Sequence, residues 1–104
     1  MTKKLYKVLV YPSAQKDLLE IKAYFRDVLK TKSNALFEKF QENIKSLKEF
    51  PFIHPIHTDP FLKLIQYRVF KIDNYLVFYI VKEDEVQIHR VLYAKRNYLD
   101  LLKI

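Results

Sequence analysis

Seven residues in the second half of this chain carry groups suited to handling an anion. Arg68 and Lys71 lie in "YRVFK", Arg90 and Tyr93 in "HRVLY", and Lys95, Arg96 and Tyr98 just beyond. A guanidinium grips carboxylate or phosphate through a two-pronged fork, whereas an ammonium acts as a compact point charge. Tyrosine rings stack on bases or lend a hydroxyl proton. Cations among rings suit two kinds of work. One is metal-free RNA cleavage: a group takes the 2′-OH proton, cations steady the developing phosphorane charge, and a donor serves the leaving oxygen. The other is seating an acidic partner. The same residues would also serve as solvated strand ends.

Other chemistries fit less well. His54 and His57 lie three apart in a proline-rich stretch with Asp59 near. That is a sparse set for a metal, and packed or solvated histidines are expected. No metal and no cofactor is expected. His89 reads as a packed strand residue. Ser13, Ser33 and Ser46 fall on or beside helical segments, and a nucleophile elbow needs glycine, of which the chain has none. The same lack excludes glycine-dependent phosphate loops. Glu38 and Glu42 look like solvated charge, as do Glu83, Asp84 and Glu85 at a hairpin tip.

The elements that must position these groups follow from periodicity. Leu5 to Tyr11 reads as a strand. Pro12 suits a first helical turn, and Ser13 is a candidate cap. Ala14, Leu18, Ile21, Phe25, Val28 and Leu29 recur at helical spacing to about Lys30, with Lys16, Asp17, Glu20 and Lys22 assigned to the polar face. A second helix, with Ser33 as candidate cap, carries Leu36, Phe37, Phe40, Ile44 and Leu47 on one stripe and stops before Pro51. Residues 51–63 hold three prolines and read as an ordered loop. Ile65 to Ile72, Tyr75 to Val81 and Val86 to Tyr93 are strand-like, with turns at Asp73-Asn74 and at 82–85. The expected fold class is α+β in the order β-α-α-β-β-β: a helical hairpin packed on one face of a mainly antiparallel four-stranded sheet. The opposite face is expected to be open and electropositive.

Length and composition agree with one domain over residues 1–104. A chain of this size buries about two thirds of its unfolded surface, enough for one core. Nineteen Lys and Arg against twelve Asp and Glu give a net charge of +7, which suggests anionic partners. The excess is spread over both halves of the chain. Cysteine is absent, which suits a reducing cytoplasm. No apolar run approaches the roughly 18 residues of a membrane span, and no signal peptide is expected.

Four segments in order resemble the RelE/ParE family, the toxin halves of bacterial type II toxin–antitoxin pairs. They are "YKVLVYPSAQKDLLEIKAYF", "SLKEFP", "YRVFKIDNYLVFYIV" and "IHRVLYAKRNY". The resemblance implies a cytoplasmic growth-arresting toxin without cofactor, silenced by a cognate acidic antitoxin. It implies one of two targets: DNA gyrase for ParE-like members, or mRNA in the ribosome for RelE-like ones. Arg68 and Arg96 match basic positions of the RelE-like nucleases, and Tyr98 stands in for their terminal-region tyrosine. Phe70 and Leu76 stand where those enzymes carry cations, and each lost cation would cost about 2–4 kcal/mol of barrier. The long helical hairpin and short tail look ParE-like, so gyrase is the expected target. Arg68, Arg96 and Tyr98 would be catalytic only in the RelE-like case. Lys71, Arg90, Tyr93 and Lys95 are expected to bind the target or the antitoxin. A non-toxic binding module that kept the fold is the alternative from another class.

Overall fold

The computed structural model describes residues 4–103. Eight elements follow one another: β1 (Lys7–Val10), α1 (Pro12–Asp27), α2 (Asn34–Glu49), α3 (Pro60–Ile65), β2 (Arg68–Ile72), β3 (Tyr75–Lys82), β4 (Glu85–Tyr93) and α4 (Tyr98–Leu102). The four strands form one sheet in the order β1-β4-β3-β2. β1 runs parallel to β4, and the other two pairings are antiparallel. The expected α+β architecture is therefore present, with two short helices added.

α1 and α2 cover one face of the sheet. Ala14 and Ile21 of α1 and Leu36, Phe40 and Leu47 of α2 pack on Phe70, Ile72, Val77, Tyr79, Val86 and Ile88. The alternation of the strands places these side chains on one side, as the period of two requires. α1 ends earlier than the apolar spacing suggests. Val28 is its C-cap, and Lys30 adopts the left-handed region (φ 54°), letting the Thr31 N–H close on the Phe25 carbonyl at 2.9 Å.

The other face differs from the expected open, electropositive surface. It carries a second apolar cluster, in which Leu62, Tyr67, Phe78 and Leu92 are buried against Leu99, Leu101 and Leu102. α3 and α4 supply this cover. α3 arises because Asp59 caps it, accepting from the Phe61 and Leu62 N–H groups at 3.1 and 3.2 Å, while Pro60 sits at the first position. Gln66 ends it in the left-handed region (φ 68°), so β2 starts at Arg68 rather than at Ile65.

Neither expected serine cap forms. Tyr11 holds the N-cap position of α1 and Ser33 that of α2, both without a side-chain capping bond. The Ser13 hydroxyl instead donates to the His89 carbonyl at 2.6 Å, tying the start of α1 to β4. The two hairpin turns place Asp73 (φ 51°) and Glu83 (φ 59°) in the left-handed region. A chain without glycine must use such residues there, at some steric cost.

Candidate functional site

β1 stops at Val10 while β4 continues to Tyr93, so the second half of β4 has no strand on that side. A bulge at the Phe78/Tyr79 step of the β3 pairing adds one residue, His89, to β4. By the ladder alternation, the Val91 N–H then points toward the side β1 has left. α1 fills that side. The Asp17 carboxylate accepts from Val91 N–H at 2.9 Å, from Arg90 Nε at 2.8 Å and from Arg90 Nη2 at 3.0 Å. Asp17 is 6% exposed, so it belongs to the buried stripe of α1 and not to the polar face. The carboxylate holds the Arg90 guanidinium above its ordinary value through the hydrogen bond, against the opposing effect of burial.

Above this clamp, the second half of α1, the β2–β3 turn and the exit of β4 enclose an open groove of about 1000 Å³. Three tyrosines dominate it: Tyr24 from α1, Tyr75 from the start of β3 and Tyr93 from β4. The Tyr75 and Tyr93 rings meet edge to face at 5.8 Å. Burial pushes the Tyr75 phenol up, and the hydroxyls of Tyr24 and Tyr93 add to it. Tyr24, Val28 and Leu29 at the end of α1 are all exposed, an apolar strip with no cover in the free chain. Arg96 lines the groove together with Glu20 and Asp73, the latter paired with Lys39 at 2.7 Å, and exposed Lys95 precedes Arg96 in the turn held by Ala94 N–H to Asn74 O (2.8 Å) and Arg96 N–H to Tyr93 O (3.0 Å).

The structure brings Tyr93 and Arg96 together at this groove, with Lys95 exposed in the adjoining turn and Arg90 held in the Asp17 clamp. It sends the rest elsewhere. Arg68, at the far end of the sheet, donates through Nη1 to the His54 carbonyl at 2.7 Å and lies over the Phe52 ring at 5.0 Å. Lys71 is exposed on the edge strand β2, opposite Leu76. Tyr98 belongs to the α3/α4 side, where its ring packs on Phe78 at 5.4 Å and its hydroxyl meets His57 Nε2 at 3.2 Å. The Asp59 N–H donates to His57 Nδ1, so the neutral ring presents Nε2–H to that hydroxyl. The Tyr98 N–H donates to the Arg96 carbonyl at 2.8 Å, but among the described residues no side-chain hydrogen bond or ring contact brings the Arg68, Arg96 and Tyr98 side chains together.

The histidines are structural in their surroundings. His54 stacks on Phe70 at 4.5 Å, and burial lowers its pKa. His89 stacks on Tyr11 at 4.6 Å, accepts from the Tyr67 hydroxyl at Nδ1 (2.8 Å) and donates from Nε2 to Gln87 (3.1 Å). Burial lowers its pKa too. Among the described residues no group of three or more His, Cys, Asp or Glu is placed to hold a metal ion. No helix in that range is long and apolar enough to cross a membrane.

Comparison with known proteins adds two findings. A family model described as "ParE toxin of type II toxin-antitoxin system, parDE" matches residues 8–98. A solved structure, "Chromosomal ParDE TA system from P. aeruginosa", superposes with a TM-score of 0.62 at 14% identity, covering 88% of this chain and 99% of that one. That likeness concerns the fold. No curated protein matches the sequence.

Proposed function

We propose that this chain, which belongs to the ParE toxin family of type II toxin–antitoxin systems, arrests growth by acting on DNA gyrase and is silenced by a cognate acidic antitoxin. The family match over residues 8–98 carries the toxin assignment. The groove supports the antitoxin part. Tyr24 and Leu29 offer an apolar wall that exposed Val28 extends, Arg96 lines the groove, and exposed Lys95 stands next to it in sequence. An amphipathic segment with acidic residues beside its apolar face would satisfy both. Tyr93 would contact it directly, whereas Arg90 would act through the Asp17 clamp, as a positioning residue. Lys71, exposed on the edge strand β2, would add charge for the target.

The dispersal of Arg68, Arg96 and Tyr98 favours gyrase over RNA. Electrostatic stabilisation of a phosphorane needs donors converging within about 3 Å of one developing charge. Here the three groups occupy three separate surroundings. A protein target asks only for a complementary surface.

Induction of the chain alone in a bacterium tests this reading. Growth arrest is expected, with gyrase-trapped DNA breaks, intact mRNA and rescue by a co-expressed acidic antitoxin. Ribosome-bound mRNA cut in a manner lost in Arg68→Ala or Arg96→Ala would overturn the gyrase target. Harmless accumulation of folded protein would overturn the toxin reading and leave a binding module.

A further inference from the structure

At the opposite end of the sheet from the groove, two cations and two rings form a ladder. The Arg68 guanidinium lies over the Phe52 ring at 5.0 Å. Phe52 meets Tyr6 edge to face at 6.1 Å. The Lys4 ammonium lies over Tyr6 at 4.8 Å. Three separate segments build it: the start of the chain, the loop after α2 and the first residue of β2. The Tyr6 N–H donates to the Lys48 carbonyl at 2.8 Å, which ties the start of the chain to the last turn of α2. Phe52 is 56% exposed, and its neighbours Leu5 and Ile53 are exposed as well.

From this surface we infer a binding site for single-stranded nucleic acid. An exposed apolar ring is costly in water and gains when another flat face covers it. An unpaired base is such a face, and its phosphates fall within reach of flanking cations. Arg68 is already oriented: Nη1 is held by the His54 carbonyl, and it is the nitrogen through which this guanidinium bonds among the described residues. Nε and Nη2 are left to meet a phosphate. The two cations that lie on the rings, Lys4 and Arg68, suit a polyanion. The two rings meet in the middle of the ladder and a cation flanks each end, so a base on the rings would have its phosphates near Lys4 and Arg68. None of these contacts distinguishes a deoxyribose from a ribose, so DNA and RNA strands should bind alike. The site is remote from the groove and does not depend on the toxin assignment.

Fluorescence anisotropy with labelled dT12 and U12, titrated with the full chain at low and moderate salt, tests the inference. Both probes should bind at low salt. Phe52→Ala should weaken binding on the order of tenfold, the loss of one stacked base. Phe52→Trp should strengthen it, a gain that no unfolding can mimic. Lys4→Gln should lower the salt slope by about 0.7. Binding that ignores Phe52→Ala, with a salt slope insensitive to Lys4, would reveal diffuse charge attraction and overturn the site. Absence of binding to both probes would overturn it too. So would an acidic peptide that binds at Phe52 while both strands fail.

Discussion

Replacing Asp17 with alanine removes one carboxylate and strands three donors: Arg90 Nε, Arg90 Nη2 and the Val91 N–H. The pair is well shielded, with side-chain exposures of 7% for Asp17 and 27% for Arg90. Breaking a buried ion pair by deleting one partner costs about 3–5 kcal/mol, because the surviving charge stays desolvated. Domains of this size are stable by about 5–15 kcal/mol in all. For a domain near 100 residues each kcal/mol lowers Tm by about 4–8 °C, so a fall of roughly 12–40 °C is expected. Thermal and urea unfolding followed by circular dichroism measures it. Removing both charges, as Asp17→Leu with Arg90→Leu, should recover most of the loss. The Val91 N–H alone would remain unpaired, at about 1–3 kcal/mol. Asp17→Leu, Arg90→Leu and the double variant form a cycle whose coupling should exceed about 1 kcal/mol. Additive losses, or a cost below about 1 kcal/mol for Asp17→Ala alone, would show that the clamp does not hold α1 to β4.

Four further outcomes follow from particular residues. Burial holds His54 and His89 below the ordinary imidazole value. The unfolded chain therefore takes up more protons than the native one once pH drops under about 6.5. Stability is full above that pH and declines below it, and urea midpoints between pH 7.5 and 5 should show a slope that flattens in His54→Phe. The Tyr79 hydroxyl, pushed up to about 12 by burial, donates to the Pro51 carbonyl at 2.8 Å. Tyr79→Phe should cost about 1–3 kcal/mol by leaving that carbonyl unpaired, and a denaturant titration showing no loss would contradict it. Gln66 ends α3 at a φ of 68°, so Gln66→Gly should raise stability by about 0.5–1 kcal/mol, read as a higher urea midpoint. Arg96→Glu at the groove mouth should slow association with an acidic antitoxin, with a weaker salt dependence of the on-rate by stopped-flow.

The order of strands and the two long helices were legible because their apolar periods are clean. Val77, Tyr79, Val86 and Ile88 alternate, and Leu36, Phe40 and Leu47 keep a helical stripe. The misses share a physical cause: one residue carried a local signal that an average over the segment hid. Asp17 stands three residues after Ala14 and four before Ile21, which places it on the buried stripe whatever its polarity. Asp59-Pro60 ahead of "FLKLI" has the form of a capped helix start, yet the three prolines of residues 51–63 suggested only loop. The groove was half visible. Tyr93, Lys95 and Arg96 are contiguous and stood out, but their opposite wall of Tyr24 and Leu29 lies some seventy residues away in sequence. Only packing of α1 against β4 unites them.

The fate of the arginines bears on what such a surface can do. The three arginines of the second half, Arg68 and Arg96 expected as a catalytic pair in the RelE-like case and Arg90 as a binding residue, each receive a different employment from the fold. Arg90 is consumed by a buried carboxylate, Arg68 is half committed to a carbonyl and a ring, and Arg96 remains at the mouth of an aromatic groove. Removing a charge from the first should register in stability and from the third in association. Arg68 should register in both, since it fastens the loop that presents Phe52. A catalytic trio would instead respond as a unit, each single loss costing nearly as much as all together. Comparing Arg68→Ala, Arg96→Ala and the double variant for growth arrest therefore separates the two architectures. Independent effects are expected from a binding surface, and a double variant no worse than either single would speak for convergent chemistry.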